Sequence, residues 1–400
     1  MAKGKPRWTK FRHKVIRDLA YAVLYTYSKI RYGITIDRFK EQECRPYLIL
    51  FNHQTAFDQF FVGCSFKGPV YYVASEDLFS NGFISSVIRY IVAPIPIKKQ
   101  STDLTAVMTC IRVAKEGGTI AMAPEGNRTY GGKTCYINPA VAGLARKLGL
   151  PIVLYKIEGG YGLHPRWSDK LRRGKMHSYI SRVIDPEEYK SLSNEELLEA
   201  IEKELYVDEG RAGEEFFSEH RAEYLERAFY VCPFCGLSEF ESEGSIVKCK
   251  KCGRKIIYGV NKGLSGVDFD FPFKGTSEWY DYQEDFVRRL ELSSLCDKAV
   301  YTESCDLYEV IPYKKKVALQ KNVEICLFGD RITIGNESFE FSKVSAVAVL
   351  GRNKLNIYKD KKIYQVKSGK RFNALKYVNF CYRAKASERG EENGREFLGI

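Results

Sequence analysis

Between positions 47 and 182 the chain alternates short, almost wholly apolar runs with longer stretches in which apolar residues return every three or four positions. The runs at 47–51, 70–74, 119–123 and 151–157 read as strands, and 47–51 has the unbroken apolar character of a buried one. Helical spacing occupies 104–115 and 139–148. This alternation predicts an α/β layered domain with a largely parallel sheet. Two polar segments, 192–205 and 214–229, read as further helices that close the domain or lead out of it. Residues 306–368 are dense in β-branched and aromatic residues. Within them 324–334 reads as a hairpin around Gly329-Asp330, and more turns fall at Gly351-Arg352-Asn353 and Lys359-Asp360-Lys361. A helix from about 373 to 386, with Leu375, Val378 and Tyr382 on one face, ends this β-rich region. The charged, glycine-bearing tail reads as disordered.

The first 32 residues have a different pattern. They hold nine Lys or Arg against one acid, Asp18. Val15, Leu19, Val23 and Tyr27 recur at helical spacing among Lys10, Arg12, Lys14 and Arg17, which fits a helix lying in a membrane interface. The same periodicity would serve a helix packed on its own domain. Residues 19–27 form the longest apolar run and include a threonine, far short of the ~20 residues a spanning helix needs. A basic start before an apolar stretch resembles a signal peptide, but the run is tyrosine-rich and has no small-residue cleavage site, so it reads as retained. The expected location is cytoplasmic, peripheral on the cytoplasmic face of a membrane. In 400 residues, 44% hydrophobic and 14% aromatic content exclude a disordered chain and allow two or three packed domains. A net charge of +13 calls for a negative partner: a membrane surface, a nucleotide-bearing cofactor, an acidic carrier protein or nucleic acid.

Two runs carry candidate chemistry. Asn52-His53-Gln54-Thr55-Ala56-Phe57-Asp58 follows the first strand and sets a histidine and a carboxylate five positions apart. General-base catalysis needs such a pair, because a carboxylate on one ring nitrogen orients the imidazole and stabilises its cation. Pro124-Glu125-Gly126-Asn127-Arg128 follows the third strand and offers a glycine and an arginine in a turn at a sheet edge, where an anionic ligand can enter. Spacing alone is weak evidence, but two more segments follow in order, Ile95-Pro96-Ile97-Lys98-Lys99 and Leu150-Pro151-Ile152-Val153-Leu154.

Together these motifs resemble the glycerolipid acyltransferases related to 1-acylglycerol-3-phosphate acyltransferase, over about residues 45–207 and including Pro165-Arg166-Trp167. Thr55, Lys99 and Asn127 stand where serine, arginine and threonine are usual. The resemblance implies transfer of an acyl group from acyl-CoA or acyl carrier protein to the sn-2 hydroxyl of lysophosphatidic acid, giving phosphatidic acid. Glycerol 3-phosphate or another lysophospholipid is the alternative acceptor. It implies His53 as base, Asp58 as its orienting partner, and Arg128 as the phosphate contact, helped by Lys99, Gly126 and Asn127. Glu125 would touch the acceptor or anchor the loop through Arg128. The other histidines, His13, His164, His177 and His220, lack such context and read as structural. Cys64, Cys110 and Cys135 have no neighbouring histidine, so a direct transfer is the simpler account.

Of twelve cysteines, eight are scattered and four cluster as Cys232-Pro-Phe-Cys235-Gly236 and Cys249-Lys-Lys-Cys252-Gly253. Paired CxxCG knuckles predict a tetrahedral four-cysteine zinc site with no open position, hence structural. Zinc removal is expected to destabilise this region while the α/β domain keeps its fold. The expected layout is a basic amphipathic helix (1–32), an acyltransferase domain (33–229), a zinc ribbon (230–260), a β-rich domain resembling the pleckstrin-homology layout (296–386), and a charged tail (387–400). A non-catalytic membrane or nucleic-acid adaptor is a competing reading. Intact His53, Asp58 and Arg128 weigh against it, and the basic residues near the second knuckle read as a solvated face, so nucleic acid is not the expected partner.

Overall fold

The structure, a computed structural model, describes residues 7–40, 45–75, 83–97, 103–311 and 316–390. Lys99 and residues 391–400 of the expected tail lie outside them. The first part of the chain runs α1 (Phe11–Tyr32), β1 (Ile34–Ile36), β2 (Leu48–Phe51), α2 (Asp58–Ser65), β3 (Val70–Ser75), α3 (Phe83–Ile91), β4 (Ile95–Ile97), α4 (Leu104–Lys115) and β5 (Thr119–Met122). It continues with α5 (Ala140–Leu148), β6 (Ile152–Glu158), α6 (Gly160–Leu163), β7 (Met176–Ile184), α7 (Pro186–Lys190) and α8 (Asn194–Leu205). Its seven strands form one sheet in the order β1-β7-β6-β2-β5-β3-β4. Every pairing is parallel except β6 with β7.

Successive strand residues point to opposite faces, and the two cores divide accordingly. Ile49, Phe51, Ala121, Val153 and Tyr155 pack with Tyr32, Phe61 and Val62 from the α1 and α2 side. Leu48, Leu50, Ile120, Ile152 and Leu154 pack with Val113, Ala145, Leu197 and Ile201 from α4, α5 and α8. The unbroken apolar runs are therefore strands covered on both faces. Ser193 and Glu196 start α8 with a reciprocal capping box.

The expected helix over 214–229 is absent. Phe217 pairs with Arg173 in an isolated bridge, Tyr224 takes a left-handed conformation, and only Leu225–Arg227 makes a 3₁₀ turn. Tertiary contacts override the local spacing here. Phe216 is buried against Gly162 and Gly174, where any Cβ would collide with its ring, and its amide bonds Val260 O at 2.7 Å.

The second part begins with β8 (Val231–Cys232) and β9 (Gly236–Leu237), then a four-stranded antiparallel sheet of β10 (Phe240–Glu243), β11 (Ile246–Cys249), β12 (Lys255–Tyr258) and β13 (Leu264–Gly266). A helix not anticipated from the sequence, α9 (Thr276–Arg288), buries Trp279, Gln283 and Val287. Then come β14 (Tyr301–Val310), β15 (Val317–Leu327), β16 (Arg331–Ile334), β17 (Glu337–Glu340), β18 (Ala346–Leu350), β19 (Lys354–Lys359), β20 (Lys362–Ser368) and α10 (Leu375–Glu388). These strands form an antiparallel sheet in the order β17-β16-β15-β14-β20-β19-β18, with α10 packed on β18. The helix runs two residues, Ser387 and Glu388, into the stretch expected as tail. One continuous core joins this region to the first part through Tyr130, Tyr161 and Trp167.

Candidate active site and a four-cysteine centre

Strands β5, β2 and β6 are adjacent and parallel, so the segments leaving their carboxyl ends emerge side by side. Open α/β sheets receive ligands at this edge. It brings together the His53 segment after β2, the Glu125–Arg128 turn after β5 and the Gly159–His164 segment after β6. Asn52 extends the β2–β6 pairing with its side chain: Nδ2 donates to Ile157 O at 2.8 Å and Oδ1 accepts from Ile157 N at 2.7 Å. Gly160 permits the close approach, since a Cβ there would lie 2.6 Å from that of Gln54.

Asp58 is fully buried as the first residue of α2. Its carboxylate accepts from His53 Nδ1 at 2.8 Å, Gln54 N at 2.8 Å, Thr55 N at 2.9 Å and Thr55 Oγ1 at 2.6 Å. The threonine at position 55 thus works as a serine would, with its hydroxyl on the carboxylate. With the proton on Nδ1 held by Asp58, Nε2 is the basic nitrogen. The His53 side chain is 25% exposed, enough for a substrate hydroxyl to reach it.

Glu125 is fully buried and does not pair with Arg128. Its Oε1 accepts from His53 N and its Oε2 from Cys135 N, both at 2.7 Å, so it clamps the His53 segment to the loop after β5. Burial pushes its pKa up to about 8 despite those two amides. A raised value means folding favours the protonated form. The stability this carboxyl contributes is therefore full below about 4.5 and lost as pH rises through about 8. Between those limits wild-type stability relative to Glu125→Gln should fall by up to ~1.4 kcal/mol per pH unit. Urea midpoints that run parallel for the two proteins from acid to mildly basic pH would remove this assignment.

Gly126 turns the loop with φ of 69° and is exposed at its tip. Asn127 and Arg128 are half-buried beside it. Burial, then the neighbouring Arg166, push the Arg128 pKa down to about 10, while Asp58 opposes the shift. Among the described residues its Nη1 is buried without a hydrogen-bond partner. A buried guanidinium nitrogen lacking an acceptor fits an anion-binding role. Cys64 and Cys110 are buried and Cys135 half-buried, and desolvation pushes all three thiol pKa values up, which leaves them unsuited to act as nucleophiles. His13 meets the Tyr71 hydroxyl, whereas His164 lies at this site: its ring stacks on Phe57, next to Asp58. The adjacent Pro165-Arg166-Trp167 run was the only sequence hint of that position.

The four clustered cysteines converge as their spacing predicts, with all sulfurs within 4.8 Å of one another. Cys232 and Cys252 are 3.8 Å apart and Cys235 and Cys249 3.6 Å. Four thiolates bound tetrahedrally at ~2.3 Å would be about 3.8 Å apart, so the set is compatible with a metal ion. Ser238 Oγ lies 3.1 Å from Cys249 Sγ, a hydroxyl placed to support a thiolate ligand.

Residues 35–156 match the Acyltransferase family model. The chain is 25% identical over 137 residues to the 1-acyl-sn-glycerol-3-phosphate acyltransferase of Bacillus subtilis (strain 168), a match spanning 34% of this chain and 65% of that protein. Among solved structures it is similar to the 1-acyl-sn-glycerophosphate (LPA) acyltransferase PlsC from Thermotoga maritima, at 23% identity and a TM-score of 0.38, covering 48% of this chain and 74% of the other.

Proposed function

We propose that the protein acylates the sn-2 hydroxyl of lysophosphatidic acid, giving phosphatidic acid, with acyl-CoA or acyl carrier protein as donor. The His53–Asp58 pair, one strand away from an arginine whose buried Nη1 has no partner among the described residues, is the observation that carries this reading. The acceptor phosphate would rest on Arg128, with Gly126 and Asn127 shaping the turn. His53 Nε2 would take the hydroxyl proton as the oxygen attacks the thioester carbonyl carbon. The C–S bond then breaks, and the departing thiolate takes the proton back from the imidazolium. Glu125 positions the base rather than meeting substrate. An apolar cavity of about 420 Å³ lies among α1, α2, β3 and α3, lined in part by Ile16, Ala20, Leu24, Phe60, Val70 and Ile88. It suits a fatty acyl chain. The four cysteines would hold a structural zinc ion, all four positions being protein ligands.

Purified protein given one acyl donor and a panel of acceptors should convert lysophosphatidic acid best. Arg128→Ala should raise the acceptor KM roughly tenfold or more, because the phosphate contact exists in the ground state. An unchanged acceptor KM removes Arg128 from the site.

We also read α1 as the membrane contact. No described helix is long and apolar enough to cross a bilayer. The helix packs on α2 and β1 while Phe11, Leu19, Val23 and Ile30 are each at least 69% exposed on one side, among basic residues. The double change Leu19→Glu, Val23→Glu should weaken binding to anionic vesicles, and undiminished binding would refute the assignment.

A further inference from the structure

Arg352 stands on the turn between β18 and β19, 188 positions from His164, yet its Nη2 lies 2.8 Å from His164 Nε2. Arg166 fastens that turn over the Arg128 loop: Nε donates to Gly351 O at 3.2 Å, Nη2 to Val349 O at 3.1 Å and Nη1 to Arg128 O at 3.0 Å. A guanidinium has donors only, so His164 Nε2 must accept and the ring proton must sit on Nδ1. His164 is 6% exposed, and among the described residues its Nδ1 has no partner. Burial and then the charges of Arg352 and Arg128 hold the ring neutral, with its pKa pushed down to about 4. Two buried donors, Arg128 Nη1 and His164 Nδ1, thus lack acceptors in one neighbourhood.

The charge there is also unbalanced. Asp169 accepts from Arg352 Nη1 at 2.8 Å, but Arg227 already takes both its oxygens at 2.9 and 3.1 Å. One carboxylate serves two guanidiniums; Arg128 and Arg166 add two further cations, against the Asp58 carboxylate, which already accepts from His53. A doubly charged phosphate monoester, with three terminal oxygens, would match unmet donors and excess positive charge together.

We propose that His164 and Arg352 complete the acceptor-phosphate subsite begun by Arg128, so that the C-terminal β-sheet contributes to acceptor binding and favours phosphate monoesters over phosphodiesters. This rests on the reading of Arg128 as the phosphate contact. The test compares steady-state kinetics of wild type, Arg128→Ala, Arg352→Ala, Arg352→Lys and His164→Phe on lysophosphatidic acid and on lysophosphatidylglycerol. Arg352→Ala should raise the KM for lysophosphatidic acid roughly tenfold, leave the acyl-donor KM and kcat within about twofold, and reduce the monoester preference, with partial recovery in Arg352→Lys. His164→Phe should act in the same direction more weakly. Inorganic phosphate should compete with the acceptor in wild type, less well in each variant.

A purely structural arginine, tying the turn to Asp169, would instead lower turnover on both acceptors alike, and that result overturns the proposal. So does a rise confined to the donor KM, which would assign the cations to the phosphates of coenzyme A. If Arg128→Ala weakens acceptor binding and the Arg352 and His164 variants do not, this inference falls alone. If Arg128→Ala is also silent, the phosphate-site reading fails with it. Should Arg352→Ala not fold, Arg352→Lys carries the same comparison, because it keeps the charge and loses the planar fork.

Discussion

His53→Ala should lower kcat by roughly 10²-fold or more while the acceptor KM changes little, because the imidazole acts on a proton that moves only in the transition state. The fold should tolerate the change: the side chain is partly exposed, and the Asp58 carboxylate keeps its bonds from Gln54 and Thr55. Asp58→Asn should also lower kcat, but through orientation, since an amide can present a donor where Nδ1–H needs an acceptor. Steady-state kinetics with lysophosphatidic acid and each alternative acceptor check both. Near-wild-type turnover of His53→Ala with every acceptor used would refute the general-base role and move the adaptor reading forward.

Metal removal should have the largest effect on stability. Elemental analysis is expected to give one zinc per chain, and a strong chelator should unfold the region around β8 to β13. The sequence suggested that the α/β domain would keep its fold. The shared core argues for a wider consequence. Trp167 packs edge-on against Tyr258 at 5.9 Å, Arg172 reaches the Tyr258 hydroxyl at 3.2 Å, and the Tyr161 hydroxyl meets Thr276 Oγ1 at 3.0 Å. Chelation should therefore also lower the melting temperature measured by a probe near His53. A melting curve for that probe unmoved by chelation would show that the parts unfold independently.

Much of this architecture is written locally. The strands that precede His53 and Glu125 are largely apolar runs, the cysteine knuckles have fixed spacing, and Gly329-Asp330 does separate β15 from β16. His53 and Asp58 are close in sequence, so their bond could be anticipated. Glu125 could not be read correctly, because a carboxyl group that accepts from two backbone amides leaves no pattern in side-chain identities. Residues 214–229 misled for the converse reason: their helical spacing is real, but Phe216 and Phe217 are committed to Val260 and Arg173. The polar stretch that forms α9 hid an apolar stripe at Trp279 and Val287. His164 and Arg352 gave no mutual signal, since a side-chain contact across two sheets has no local signature.

The burial of Trp167 against Tyr258 bears on how such a chain can be inherited or re-engineered. A gene fusion joining residues 1–229 to another partner would leave Trp167, Tyr161 and Tyr130 facing water where they now meet the later part of the chain. A patch of large aromatics left bare in this way favours aggregation. Shuffling the acyltransferase segment between relatives would thus succeed only where its partner brings an equivalent aromatic seat, because the core runs unbroken across the boundary expected near residue 229.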